Sequence, residues 1–201
     1  MSGSFGETAV RIARAAAAAE ASSRGYSLPG DLPPEFDRPS GAFVTVLERP
    51  SRDLRACIGY PMPIMPLGEA IAMSAIGAVH DPRFPTLTPS EAEDCLFEVT
   101  VLTPPEEIDY HSHDELMRSI VIGRDGLIID HMGHRGLFLP QVPVEQRWDV
   151  EEYLGRLCQK AGLRYGDWKS GHPVISSFRG EIYDEMPDGS VVRREQRCPR
   201  W

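Results

Sequence analysis

Apolar and polar positions follow two rhythms along the chain. From Ala42 to Glu48 and from Leu54 to Tyr60 they alternate, which is the period of a half-buried strand. The segment between, Arg49-Pro50-Ser51-Arg52-Asp53, reads as a turn, so the pair predicts a β-hairpin. Leu54, Ala56 and Ile58 would face the core, and Arg55, Cys57 and Gly59 the other side. Pro61, Pro63 and Pro66 end the strand. From Leu67 to Val79 the spacing becomes helical, with Leu67, Ala70, Ile71, Ala75, Ala78 and Val79 near one stripe.

Other elements follow from caps and breakers. Residues 9–24 are alanine-rich and predict a helix that stops at Gly25. Residues 26–40 read as an extended connector. Thr88-Pro89-Ser90-Glu91 is a capping box with proline at the first helical position. Cys95 to Thr103 reads as a strand, with Phe97, Val99 and Val101 on one face. Ser112 to Glu115 opens another helix. Gly123 to Gly126 reads as a hairpin turn between Ile120–Ile122 and Leu127–Asp130. A second turn spans His131 to Arg135. Asp149 with Glu152 caps a helix that Gly162 ends. Val174 to Tyr183 reads as one last long strand, with little to bury beyond Asp184. Hairpins mixed with helices, without regular βαβ alternation, predict an α+β fold with an antiparallel or mixed sheet.

At 201 residues the chain is sized for a single domain. Its 30 acidic and 21 basic residues give a formal charge of −9, which argues against nucleic-acid binding without a basic stripe. Arg193, Arg194, Arg197 and Arg200 form the one basic cluster, read as a solvated tail. No apolar run reaches the ~18 residues that cross a bilayer. No signal-peptide core is visible, so the expected location is cytoplasmic. Cys57, Cys95, Cys158 and Cys198 stand singly and are expected as reduced thiols.

The chemistry-bearing candidates begin with Cys57. Strand alternation sets Arg55 on the same face, and a nearby cation favours the thiolate. Gly59 would leave backbone open to a ligand. The competing reading of Cys57 is a small core residue. In His80-Asp81-Pro82-Arg83-Phe84-Pro85, Asp81 and Arg83 either bind a polar ligand or pair with each other. Glu98, in phase with Leu96 and Thr100, reads as solvent-facing unless its face lines a pocket that holds Cys57. Glu145 and Gln146 are cap and surface residues or a pocket wall. The His111/His113 and His131/His134 pairs lack a second cluster, so no metal is expected. No phosphate loop, nucleophile elbow or dinucleotide fingerprint is present, and no cofactor is implied.

Several motifs together resemble one family. Leu54-Arg55-Ala56-Cys57-Ile58-Gly59 is similar to a Leu-Arg-Gly-Cys-Ile-Gly hallmark, with Ala56 in place of glycine. Asp81 to Thr88, Gly123 to Leu127, Leu139 to Val142, Glu145 to Trp148 and Leu157 to Leu163 with Trp168 follow in order. These resemble the AMMECR family, over roughly residues 8–185 with a tail at 186–201. The resemblance implies a compact α+β fold with a barrel-like, mainly antiparallel sheet flanked by helices, in two unequal subdomains. It implies a functional site at the hallmark segment, Arg55, Cys57 and Gly59, with Asp81 and Arg83 as neighbours. Read as an enzyme, the chain would use Cys57 as nucleophile or substrate-binding thiol, Asp81 or Glu98 to handle protons, and Arg55, Gly59, Arg83 and Gln146 to bind substrate. The expected substrate is a small metabolite or nucleotide-like molecule. Memo-like and radical SAM proteins are the implied pathway partners. The alternative is a non-catalytic scaffold that docks one of them on an apolar patch including Trp148 or Trp168.

Overall fold

A computed structural model describes residues 4–195 of the chain. The first helix, α1 (Phe5–Ala21), begins earlier than alanine content predicts because Ser4 and Glu7 form a capping box. It ends before Gly25, since Ser23 itself takes the left-handed conformation at φ 52° and Arg24 N–H closes on the Ala19 carbonyl. The hairpin strands β1 (Ala42–Leu47) and β2 (Leu54–Tyr60) form as predicted, and α2 (Leu67–Val79) has the predicted bounds. The Thr88 capping box opens α3 (Pro89–Asp94), which leads into β3 (Leu96–Leu102).

Next come β4 (Glu106–Glu107), α4 (His113–Ser119), β5 (Gly126–His131), β6 (His134–Phe138), α5 (Gln141–Glu145), α6 (Val150–Lys160) and β7 (Val174–Phe178). The chain closes with β8 (Gly180–Glu185) and β9 (Val191–Glu195). The described residues divide into two unequal compact units. One runs through Leu102 and resumes at Glu181–Glu195, and the other is Thr103–Gly180.

The sheets correct the barrel-like expectation. Two open sheets form instead of one closed one, in the orders β2-β1-β3-β8-β9 and β4-β7-β5-β6. The predicted long strand from Val174 to Tyr183 is the point of division. Arg179 leaves the ladder: its N–H donates to the Thr103 hydroxyl at 2.9 Å, and its carbonyl accepts from Thr103 N–H at 2.8 Å. The flanking residues therefore join different sheets. A strand also forms beyond Asp184, because β9 pairs antiparallel with β8.

In the first unit Ala42, Val44, Val46, Ala56, Phe97 and Val99 point inward and are fully buried. Ala9, Ala13, Ala16 and Ala17 of α1 and Ala70, Ala75 and Ala78 of α2 share that core. Methyl-sized side chains let both helices lie close to the sheet, where burial yields about 25 cal/mol per Å² of apolar area. Leu54 departs from its predicted core position and is 44% exposed. The pairing slips between Val46 and Leu47, so Val46 faces Ala56 while Leu47 faces Leu54. Arg55 is thus the extra residue of a β-bulge.

The second unit packs Leu127, Ile129, Tyr153, Leu154, Leu157, Trp168 and Ile175 into its own core. The predicted hairpin at Gly123–Gly126 does not form. Asp125 accepts Val121 N–H at 2.8 Å and its own N–H returns to the Val121 carbonyl, which satisfies this backbone locally. The second predicted turn does close a hairpin, with positive φ at Met132 and Gly133 joining β5 and β6. Asp149 caps α6 and Gly162 ends it at φ 79°, as predicted.

Candidate functional site

Cys57 sits in mid-strand on β2, which is an edge of its sheet. Its side chain is half-buried on the face away from α1 and α2. Thr45 is its cross-strand partner on β1, and Thr45 in turn faces Glu98 on β3. Cross-strand partners share a face. Cys57, Thr45 and Glu98 therefore form one row, with two strand spacings, roughly 10 Å, between thiol and carboxyl. The Thr45 hydroxyl donates to the Cys57 sulfur at 3.4 Å, a bond that strengthens when the sulfur is a thiolate. Burial pushes the Glu98 carboxyl up from its ordinary value, against the opposing pull of Arg194. A carboxyl with raised proton affinity can exchange a proton closer to neutral pH. Glu98 thus shares a sheet face with Cys57.

The backbone of Cys57 is held from the open side. Its N–H donates to Asp81 Oδ2 at 2.9 Å, and its carbonyl accepts from Arg83 Nη2 at 2.8 Å. Asp81 and Arg83 lie in the turn after α2, where Pro82 and Pro85 stiffen the chain. They bind each other at 3.0 Å through Nε and 2.7 Å through Nη2, and Asp81 also accepts Arg83 N–H. Together they supply the donor and acceptor that a neighbouring strand would offer, so the exposed edge is closed at the thiol.

This geometry changes the role expected of Asp81. Its side chain is 1% exposed. The hydrogen bonds from Arg83, first among the causes, hold its carboxyl far below the usual carboxylate range. It stays ionised at neutral pH and does not carry protons. Asp81 in turn pushes the Arg83 guanidinium further up. Of the two alternatives open in the sequence, Asp81 and Arg83 do pair with each other.

Arg55 is also placed differently from the alternation argument. Its guanidinium is buried and donates from Nε to Glu91 Oε1 at 3.0 Å. Glu91 is the last residue of the Thr88–Glu91 capping box and the third of α3, so the pair ties the bulge of β2 to that helix. The cation next to Cys57 is Arg83. The side of Gly59 where a side chain would stand is filled. A Cβ there would meet the Phe43 ring at 2.2 Å and the Ala42 carbonyl oxygen at 2.5 Å. Phe43 is the cross-strand partner of Gly59, and its ring covers the glycine. Gln146 is exposed at the C-cap of α5 in the second unit.

Sequence reasoning missed Thr45 and Glu91 as site residues, and read Arg194 as tail. Thr45 carried a signal, since strand pairing in the predicted hairpin sets it opposite Cys57. Arg193 and Arg194 are exposed, as expected, but they belong to strand β9 and are paired: Arg193 binds Glu181 at 2.6 Å, and Arg194 binds Glu98. Arg197, Arg200 and Cys198 lie outside the described residues. The apolar patch expected of a scaffold does not include Trp168, which is 1% exposed, and Trp148 packs edge-on against Phe138. Among the described residues no three His, Cys, Asp or Glu side chains group as metal ligands. His113 packs edge-on to Trp168, and His134 Nδ1 lies 3.1 Å from the Ala161 carbonyl oxygen. Within the described residues no helix is long and apolar enough to cross a membrane.

Fold and site together define an α+β protein of two units, with a half-buried thiol locked on an edge strand by an aspartate–arginine pair. The sequence model of AMMECR1 matches residues 10–183, and the chain belongs to the AMMECR1 family. A protein of Thermofilum pendens is 44% identical over 205 residues, covering 96% of each chain. A protein of Methanocaldococcus jannaschii is 47% identical over 165 residues, covering 81% of this chain and 82% of that one. The crystal structure of uncharacterized protein PH0010 from Pyrococcus horikoshii is similar at TM-score 0.70 and 41% identity, covering 97% of this chain and 98% of that one.

Proposed function

We propose that this protein is an enzyme, or the catalytic component of one, with Cys57 as its nucleophile. The observation that carries the reading is the row of thiol, hydroxyl and carboxyl across β2, β1 and β3. Thr45 stabilises the thiolate, and Glu98 supplies or accepts the proton of the reacting group. Asp81 and Arg83 keep the β2 backbone rigid at the thiol, which is positioning work. Both Arg55 and Arg83 are paired with carboxylates, so a small metabolite fits better than a polyanion. Memo-like and radical SAM proteins are its proposed partners in a shared pathway, and a cytoplasmic location suits its free thiols.

The test is alkylation of the folded protein with iodoacetamide from pH 5 to 10, each cysteine followed by mass spectrometry. Cys95 and Cys158 serve as internal controls, because both are buried and burial pushes both thiols up. The expected result is that Cys57 reacts below the free-thiol pKa of about 8.5 while these two stay silent. A Cys57 that is inert until the protein unfolds removes the nucleophile and leaves the scaffold reading.

A further inference from the structure

The matched family segment ends at residue 183, yet the polar row continues past it. Arg194 stands opposite Ile182 in the β8–β9 register. Its Nη2 donates to Glu98 Oε2, and its Nε lies 3.4 Å from Asp184 Oδ2. Asp184 also accepts from Arg52 Nη2 at 2.7 Å. Arg52, Asp184, Arg194 and Glu98 thus alternate in sign along the face that carries Thr45 and Cys57. The two carboxylates are the deeper members, with side chains 10% and 14% exposed, against 33% and 47% for the arginines.

We propose that Arg194 is a positioning residue for the thiol site, by which β9 holds the Glu98 carboxyl in the row with Thr45 and Cys57 and sets when it carries a proton. The inference rests on the enzyme reading above. Its physical basis is the charge balance around Glu98. Among the described residues the charged groups that face it are Arg194 from β9, Asp184 from β8 and Arg52 from the β1–β2 turn, with uncharged Thr45 opposite on β1. Burial and Asp184 favour the neutral acid; Arg194 and Arg52 favour the carboxylate. Without Arg194, two carboxylates share one arginine, and the proton goes to Glu98.

The experiment is a carbon-13 NMR titration of glutamate carboxyls in the full chain, with the Glu98 signal assigned by Glu98→Gln. In Arg194→Gln the Glu98 pKa is expected to rise by about 1–2 units, the size of losing one adjacent opposite charge. Arg194→Lys should restore most of it. A merely structural arginine would lower the melting temperature and leave that titration in place. Cys57 alkylation is followed in the same samples. A reactive Cys57 with an unmoved Glu98 titration in folded Arg194→Gln overturns this inference alone. A Cys57 inert in every variant overturns it together with the enzyme reading, since no thiol site then exists to position.

Discussion

Replacing Asp81 with asparagine removes the charge at the centre of the clamp on β2. The carboxylate accepts from Cys57 N–H at 2.9 Å, from Arg83 N–H and Nε at 3.0 Å, and from Arg83 Nη2 at 2.7 Å. An amide of the same shape offers one oxygen and turns an NH2 group toward the guanidinium. About two of these contacts are lost, each worth about 1.5–3 kcal/mol when one partner is charged. Arg83 is 54% exposed and recovers water, so the net cost is about 3 kcal/mol, the low end for breaking a buried pair. In a chain of this length that lowers the melting temperature by about 6–12 °C. The pH dependence has a definite sign. The folded carboxyl is held below its unfolded value, so its stabilisation is complete above about pH 3.9 and is lost as pH falls toward the folded value. The gap between wild type and Asp81→Asn should be flat from pH 5 to 8 and narrow by about 1.4 kcal/mol for each unit below about 3.9. Thermal and urea melts across that range measure it. A variant melting within about 2 °C of wild type at pH 7, or a gap that persists in acid, would refute the clamp.

Three further outcomes are expected. Thr45→Val keeps the β-branched shape on β1 but removes the donor to Cys57 sulfur; the alkylation midpoint of Cys57 should rise while the melting temperature stays within about 2 °C. Gly59→Ala drives a methyl into the Phe43 ring and the Ala42 carbonyl oxygen and should cost about 1–3 kcal/mol by urea denaturation. Shortening Phe43 should not rescue it fully, because the carbonyl is backbone. Arg14→Met leaves Glu185 without the guanidinium that binds it at 2.7 and 3.1 Å. That glutamate is 8% exposed and also accepts Phe97 N–H, so a loss of about 3–5 kcal/mol is expected, read as a lower urea midpoint.

Much of the secondary structure was legible because its causes are local. The Thr88 and Asp149 caps, the helical stripe of α2 and the alternation of β1 and β2 each depend on residues a few positions apart. The errors fall where a distant partner decides. Arg179 breaks the last long strand because Thr103, far back in sequence, takes its N–H. The Ser4 capping box is equally local, and it starts α1 ahead of the alanine-rich run.

The candidate site divides in the same way. Local pattern alone put Cys57 in mid-strand on the face away from the core, placed Glu98 in its strand phase, and set Asp81 and Arg83 in a proline-stiffened turn. Strand alternation is a property of each peptide, so it survives without any knowledge of the partner. Only the tertiary structure decided what those side chains do. A bulge sends Arg55 to Glu91, Phe43 closes Gly59, Asp81 and Arg83 close the β2 edge, and β9 brings Arg194 to Glu98. Each of these is a contact between segments remote in sequence. Which guanidinium meets which carboxylate depends on register and sheet order, and neither is encoded within the reach of a single strand.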